Sequence, residues 1–539
     1  MKKILIILPL AVCLFAKAQT NIDREFDVVR AYRPVLSDAV KIKTVAPLEK
    51  VSPPEATLSY QVSPFKVDSV LPSNPLTSAE LQRESIKKLY GNYIKGGFGN
   101  SGLALGEIYL SSIRDREYNY GFELQHLNGR TSDSRKFNRD HFNLYGQKYG
   151  SNRTSGANLY YNRLRVDHLE FPEDSLADYY FVNEGKHSFN TVGTDIDFFS
   201  NNKNLEDLNF AAKLKAYSFT DNYEQSENNV SGFGTLSQNF GKSSFAAEIS
   251  ADKTWLNQRS KSSNLVVGLQ PYYRYVDSLF TLNLGLNTFT TIQITEDVQV
   301  YPNISGQFKL ADRFLIAFAG LTGKTTKNSW KGFVEEMPYL QDTVEIKNTK
   351  EKLHFYGGFK GSLTDQSSFK IQGSVKKVDE MPLFVNRFVG TLPDFSTYEV
   401  IYDTATVTEL SLIFTTQMLE KARIMTRFDL TNYSMTTAKA AYHLPSFKSN
   451  TTMSYNIADK ILMTGDLLFY GKTQALAANG VDLIENKSFA DVNISFDYRY
   501  SPKLSFFLQA NNLANKTYQR FYLYPTQGFT FIAGATFAL

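Results

Sequence analysis

Apolar and polar residues alternate along this chain in short blocks, and the blocks recur about every 20 residues for some 450 residues. In an extended strand, successive side chains point to opposite faces, so each block has one greasy face and one polar or small face. The last block is clear: Phe529, Phe531, Ala533, Ala535, Phe537 and Leu539 alternate with Thr530, Ile532, Gly534, Thr536 and Ala538. A soluble sandwich uses the same alternation. Twenty or more such strands behind a secretion signal instead point to an all-β fold, a transmembrane antiparallel β-barrel in the outer membrane of a Gram-negative envelope. The greasy face then meets lipid and the other face looks into the lumen.

The N-terminus supplies that signal. Lys2 and Lys3 precede the apolar run Ile4–Phe15, and Ala16-Lys17-Ala18 is a small-x-small cleavage site, so cleavage is expected between Ala18 and Gln19. Cys13 is the only cysteine and falls within the signal, which excludes disulfides and cysteine-based metal sites from the mature chain. Losing Lys2, Lys3 and Lys17 lowers the net charge from +4 to +1, which argues against a nucleic-acid partner. Past the signal no apolar run approaches the roughly 18 residues of a membrane helix. Aromatics are nonetheless 14% of the chain, with 41 Phe and 32 Tyr, as suits the girdles of a barrel.

Two regions follow. Residues 19–88 hold seven of the 17 prolines and are expected to be an extended segment, periplasmic or inserted in the lumen. Residues 89–539 are expected to form about 22 strands, within a range of 20 to 24. The stretch 380–417 is ambiguous: Leu383–Val389 reads as a strand, or 396–417 as a hairpin. Even-to-odd connections are short, such as Ala458-Asp459-Lys460. Odd-to-even connections include long ones at 167–185, 326–350, 380–395, 435–445, 474–485 and 515–527. With a periplasmic N-terminus the long set falls outside, as barrels of this kind require.

Charge on a lipid face is costly, so Asp491, Asn493, Asp497, Arg499, Lys213, Lys215, Glu248 and Asp252 are expected to face the lumen. Catalytic and metal motifs are missing. Gly323-Lys324-Thr325 lacks the upstream glycine of a P-loop, no His pair has zinc spacing, and no G-x-S-x-G occurs. No cofactor or enzymatic role is therefore expected. The acidic stretch Asp167–Lys186 reads as a solvated external loop.

The final residues carry a sharper signal. Asn511-Asn512-Leu513-Ala514-Asn515-Lys516-Thr517-Tyr518, then Tyr524-Pro525 and Gly528, resemble the C-terminal elements of TonB-dependent outer-membrane receptors. Glu336-Met337-Pro338-Tyr339-Leu340 is similar to that family's E-N-P-Y-L element, with Met in place of Asn. The resemblance implies a 22-strand barrel, a role in transport of a small molecule of unknown identity, and a TonB-like partner. The departure is that residues 19–88 are too few and too Pro-rich for the family's plug domain. Asp27, Val28, Val29 and Arg30 are the candidate partner contact. An alternative role is a non-enzymatic scaffold or secretion component whose residues 19–88 bind a periplasmic or lipoprotein partner. Either way a wide barrel needs a filling: the N-terminal segment, inward-folded external loops, or another protein.

Overall fold

In the computed structural model of the chain, alternation becomes a closed wall. The structure describes residues 91–539, apart from 113–114, 132–134, 168–185, 203–205, 294, 312–313, 342, 390–391, 419–420 and 478. The signal peptide, residues 19–88, Ala18, Gln19, Asp27, Val28, Val29, Arg30 and the interior of the acidic loop therefore lie outside the described residues.

Twenty-two antiparallel strands pair in chain order, from Tyr93–Gly99 to Thr530–Ala538, and these two pair with each other to close the barrel. Each of the 22 expected strands has its counterpart. Closure is tight: a Cβ on Gly534 would run into the carbonyl oxygen of Gly96, and the Phe507 ring lies 2.6 Å from where such a Cβ would sit. Only glycine lets the two strand backbones meet beneath that ring.

The burial pattern separates two faces. In Ser243–Asn257, Phe245 and Ile249 are 58% and 49% exposed on one face, and Glu248 and Asp252 lie on the other. Leu214, Val298, Val300 and Phe355 are likewise about 60% exposed. Bands of exposed Leu, Val and Phe around a closed barrel are the surface that bilayer hydrocarbon covers. Among the described residues no helix is long and apolar enough to cross a membrane; strands do the crossing.

One connection departs from expectation. The segment 380–395 is not an external loop. Ser367–Val389 and Leu392–Met418 are single strands of 23 and 27 residues, paired almost to their tip. The register shifts between Val378 and Met381, where Glu380 has φ +52°. A bulge bends and twists a strand, so the hairpin leaves the wall there. Beyond it both faces are buried: Leu383 and Val385 pack with Ala440 and Tyr442, and Phe384 packs with Phe333. With both faces apolar, the two-residue alternation that marks a half-buried strand is lost.

Short turns, the start of the first strand and the end of the last share one rim, where the Leu539 N–H donates to the Asn92 carbonyl at 2.9 Å. The long connections share the other, which is the external rim of such barrels.

Candidate functional site

The external mouth holds an inward-folded segment. Residues 327–348 turn inward and carry a seven-residue helix, α1 (Trp330–Glu336). Ser329 caps it by accepting the Gly332 N–H at 3.0 Å. Trp330, Phe333, Val334 and Met337 recur at helical spacing and are all buried, Met337 completely. They form one cluster with Val166, Phe189, Phe219 and Leu256 of the wall. The same cluster takes in Phe384 and Tyr398 of the long hairpin, and Tyr524 of the last external loop. Trp330 meets Phe219 edge-on, with ring centroids 4.7 Å apart. This is a small hydrophobic core built across the mouth of a barrel.

Polar anchors fix its edges. The fully buried Glu227 accepts the Trp330 N–H at 2.6 Å and the Tyr217 hydroxyl at 2.7 Å. Lys327 donates to Asp252 and Thr254; burial pulls its pKa below the usual lysine value despite the Asp252 partner. Gln258 accepts the Val344 N–H at 3.1 Å, and Asn264 and Asn348 bond side chain to side chain. On the opposite wall Tyr402 takes the Lys347 N–H and donates to the Glu345 carbonyl. Tyr398 exchanges backbone bonds with Tyr339 and Gln341, both at 2.8 Å. The loop is thus fastened on both sides.

The two motifs that carried the family resemblance meet here. Tyr339 stacks on Tyr524 at 3.9 Å, and the Arg135 guanidinium lies about 5 Å from both ring centroids. The Asn-rich motif is a clasp for the last loop. Asn512, at φ +49°, donates to the Lys516 and Gln527 carbonyls, and Asn515 accepts the Phe529 N–H. Asparagine tolerates that backbone and bonds locally, which is why this residue type recurs. Tyr518 stacks on Phe489 at 3.7 Å.

Two cavities border the cap. One of about 370 Å³ is lined by Phe333, Glu336, His443, Lys448, Arg520 and Phe521, among others. Arg520 pairs with Glu336 at 2.9 Å, and Lys448 lies over the Tyr470 ring. Burial pushes the His443 pKa down to about 4, so its ring is neutral at physiological pH. The other cavity, about 650 Å³, gathers Lys213, Glu248 and Asp252 around Lys327.

The expected lumen residues therefore fall into three groups, not one site. Lys213, Glu248 and Asp252 share that cavity; Lys213 also pairs with Asp195 at 3.2 Å, and Lys215 lies over Phe233. Asp491 and Asn493 hold the final external loop, accepting the Tyr518 hydroxyl and the Asn512 N–H. Asp497 and Arg499 are exposed toward the rim with the chain ends. Glu227, Lys327 and Trp330 were not singled out from sequence. The usable signal was the spacing of Trp330, Phe333, Val334 and Met337, which is too apolar and too helical for a solvated loop. Among the described residues no three His, Cys, Asp or Glu side chains gather as a metal site.

No protein-family model and no curated relative matches the chain. Solved structures do. The FrpB iron transporter from Neisseria meningitidis matches with a TM-score of 0.65 at 9% identity, over 84% of this chain and 82% of its own. The copper transporter OprC matches with a TM-score of 0.63 at 11% identity, over 85% and 84%. The ferric enterobactin receptor PfeA from Pseudomonas aeruginosa gives 0.61 at 11%, over 83% and 80%.

Proposed function

From the premise that this barrel has the fold of TonB-dependent outer-membrane receptors, we propose that it acts in transport across the outer membrane, without catalysis. Its external gate is its own loop 327–348. The observation that carries this reading is the anchored cap beneath the external loops of a transporter-type barrel. A small molecule would be held in the cavities bordering the cap, and Lys213, Glu248 and Asp252 would line its route inward. Lys215, Asp491, Asn493, Asp497 and Arg499 complete the proposed polar lumen. If transport is energised, Asp27 to Arg30 would meet a TonB-like periplasmic partner.

Conductance of the full chain in a planar bilayer tests this. The intact protein is expected to be silent, and Glu227→Ala, which leaves the Trp330 N–H without its acceptor, is expected to produce openings. Loss of that acceptor is worth about 1–3 kcal/mol. A variant as silent as the parent, with residues 19–88 also deleted, would count against a gate.

One observation favours a second reading. A cap with a core of its own, fastened to both walls, suits a barrel that stays shut. The chain would then be a scaffold or secretion component, with residues 19–88 binding a periplasmic or lipoprotein partner by strand addition or a related mode. Deleting 19–88 should then strip stable partners from the purified protein and leave nutrient uptake unchanged.

A further inference from the structure

On the lipid side of the wall, register lines up four neighbouring strands: Tyr118–Arg130, Lys136–Tyr149, Arg153–Asp167 and Lys186–Ser200. Leu124, Phe142, Tyr161 and Val192 form one outward row, and Phe122, Leu144, Leu159 and Thr194 the next toward the chain ends. Leu124, Leu144, Leu159 and Val192 are exposed, so these rows belong to the apolar band. Toward the external rim the chemistry changes at once. His126, Asp140, Arg163 and Asn190 come first, then Asn128, Asn138, Arg165 and Ser188, then Arg130 beside Lys136 and Asp167 beside Lys186.

The acids in this patch are already engaged. Asp140 binds Arg163 at 2.7 Å and His126 at 2.6 Å, and Asp167 accepts the Lys136 N–H at 3.0 Å. Arg130, Lys136, Arg165 and Lys186 have no carboxylate partner among the described residues. They line a groove of about 550 Å³ with His126 and Asp167. On the next two strands Ser218 and Asn228 continue the row of Val192, and Thr220 and Ser226 that of Asn190.

We infer that this groove binds the phosphorylated headgroup of an outer-leaflet lipid; the inference rests on the membrane reading of the barrel and not on the gate. Three features fit that occupant. The cations sit directly above the apolar band, at the depth of headgroups. The four cations share a strand face with the exposed Leu124, Leu144, Leu159 and Val192. Arginine forks and lysine ammoniums are the side chains that hold phosphate.

Native mass spectrometry of the full chain, released from vesicles containing a diphosphorylated glucosamine lipid, reads the bound lipid. The parent is expected to retain it. The variant with Arg130→Ser, Lys136→Ser, Arg165→Ser and Lys186→Ser together is expected to lose occupancy by roughly tenfold or more. Lys253→Ser with Lys261→Ser, on the outward face of another sector, should leave occupancy unchanged, and Asp167→Asn should raise it. All these side chains are on the surface, and heat-modifiable gel mobility checks that each barrel is folded. Equal retention by the fourfold variant, or of the dephosphorylated lipid, would overturn the assignment. So would displacement by added inorganic phosphate, which marks a free-anion site, or a co-purified protein lost in place of lipid. The patch lies outside the lumen, so its failure leaves the conductance test intact.

Discussion

The wall and the cap of this molecule are held by different physics. In the wall, every strand pairs with its neighbour in sequence, and each residue's face follows from its parity. Information is local and repeated, so one poor residue is outvoted by its neighbours. In the cap, single groups from remote places carry the arrangement. Glu227 reaches Trp330 across 103 residues, and Tyr398 donates to the Tyr522 carbonyl across 124. The wall tolerates error in any one position; the cap depends on a few.

The sharpest break of that contrast is Trp330→Ala. Removing a buried indole costs about 3–5 kcal/mol. The loss is expected to appear as open channels and protease cleavage in 327–348, with the heat-modifiable barrel band intact. If the barrel itself unfolds, wall and cap are one unit and the contrast fails. Next is Ile249→Arg on the outward face. A cation at mid-membrane costs about 2–4 kcal/mol, read as impaired refolding into vesicles, with no opening of barrels that do insert.

Acid probes a group beside the cap. Burial holds the His443 pKa at about 4, below the ordinary value of 6.5, so the folded cap favours the neutral ring. Its contribution is complete above pH 6.5 and is lost as pH falls through that window toward 4, about 2 kcal/mol by pH 5. Conductance or proteolysis of the cap should rise over this range, and His443→Phe should flatten the response. The smallest effect belongs to Arg520→Ser. Its ion pair with Glu336 is about half exposed, so less than about 1 kcal/mol is expected, screened by salt. A large effect there would mean that charge, not the aromatic core, closes the mouth.

The same contrast decides what could be read from sequence. Parity in Phe245–Asp252 and Ala490–Arg499 is visible without coordinates because each face repeats every second residue. The count of 22 and most of the short and long connections followed from it. The hairpin 367–418 was only half legible, because Leu383, Phe384 and Val385 are buried on both faces and leave no alternation. The cap was read only as part of the long connection 326–350; the helical spacing of Trp330, Phe333, Val334 and Met337 was there to be used, but not its destination. Nothing in Glu227 or Tyr398 announces a partner more than 100 residues away. The Tyr339–Tyr524 stack joins two motifs that the sequence displays separately, and only folding shows that they are halves of one contact.

That stack has a consequence for assembly. Tyr524 and Phe521 lie in the last external loop, directly before the strand that pairs with Tyr93–Gly99. The cap's core therefore takes part of its packing from the loop next to the strand that closes the circle. A barrel without its last loop would lack that part of the core across its mouth.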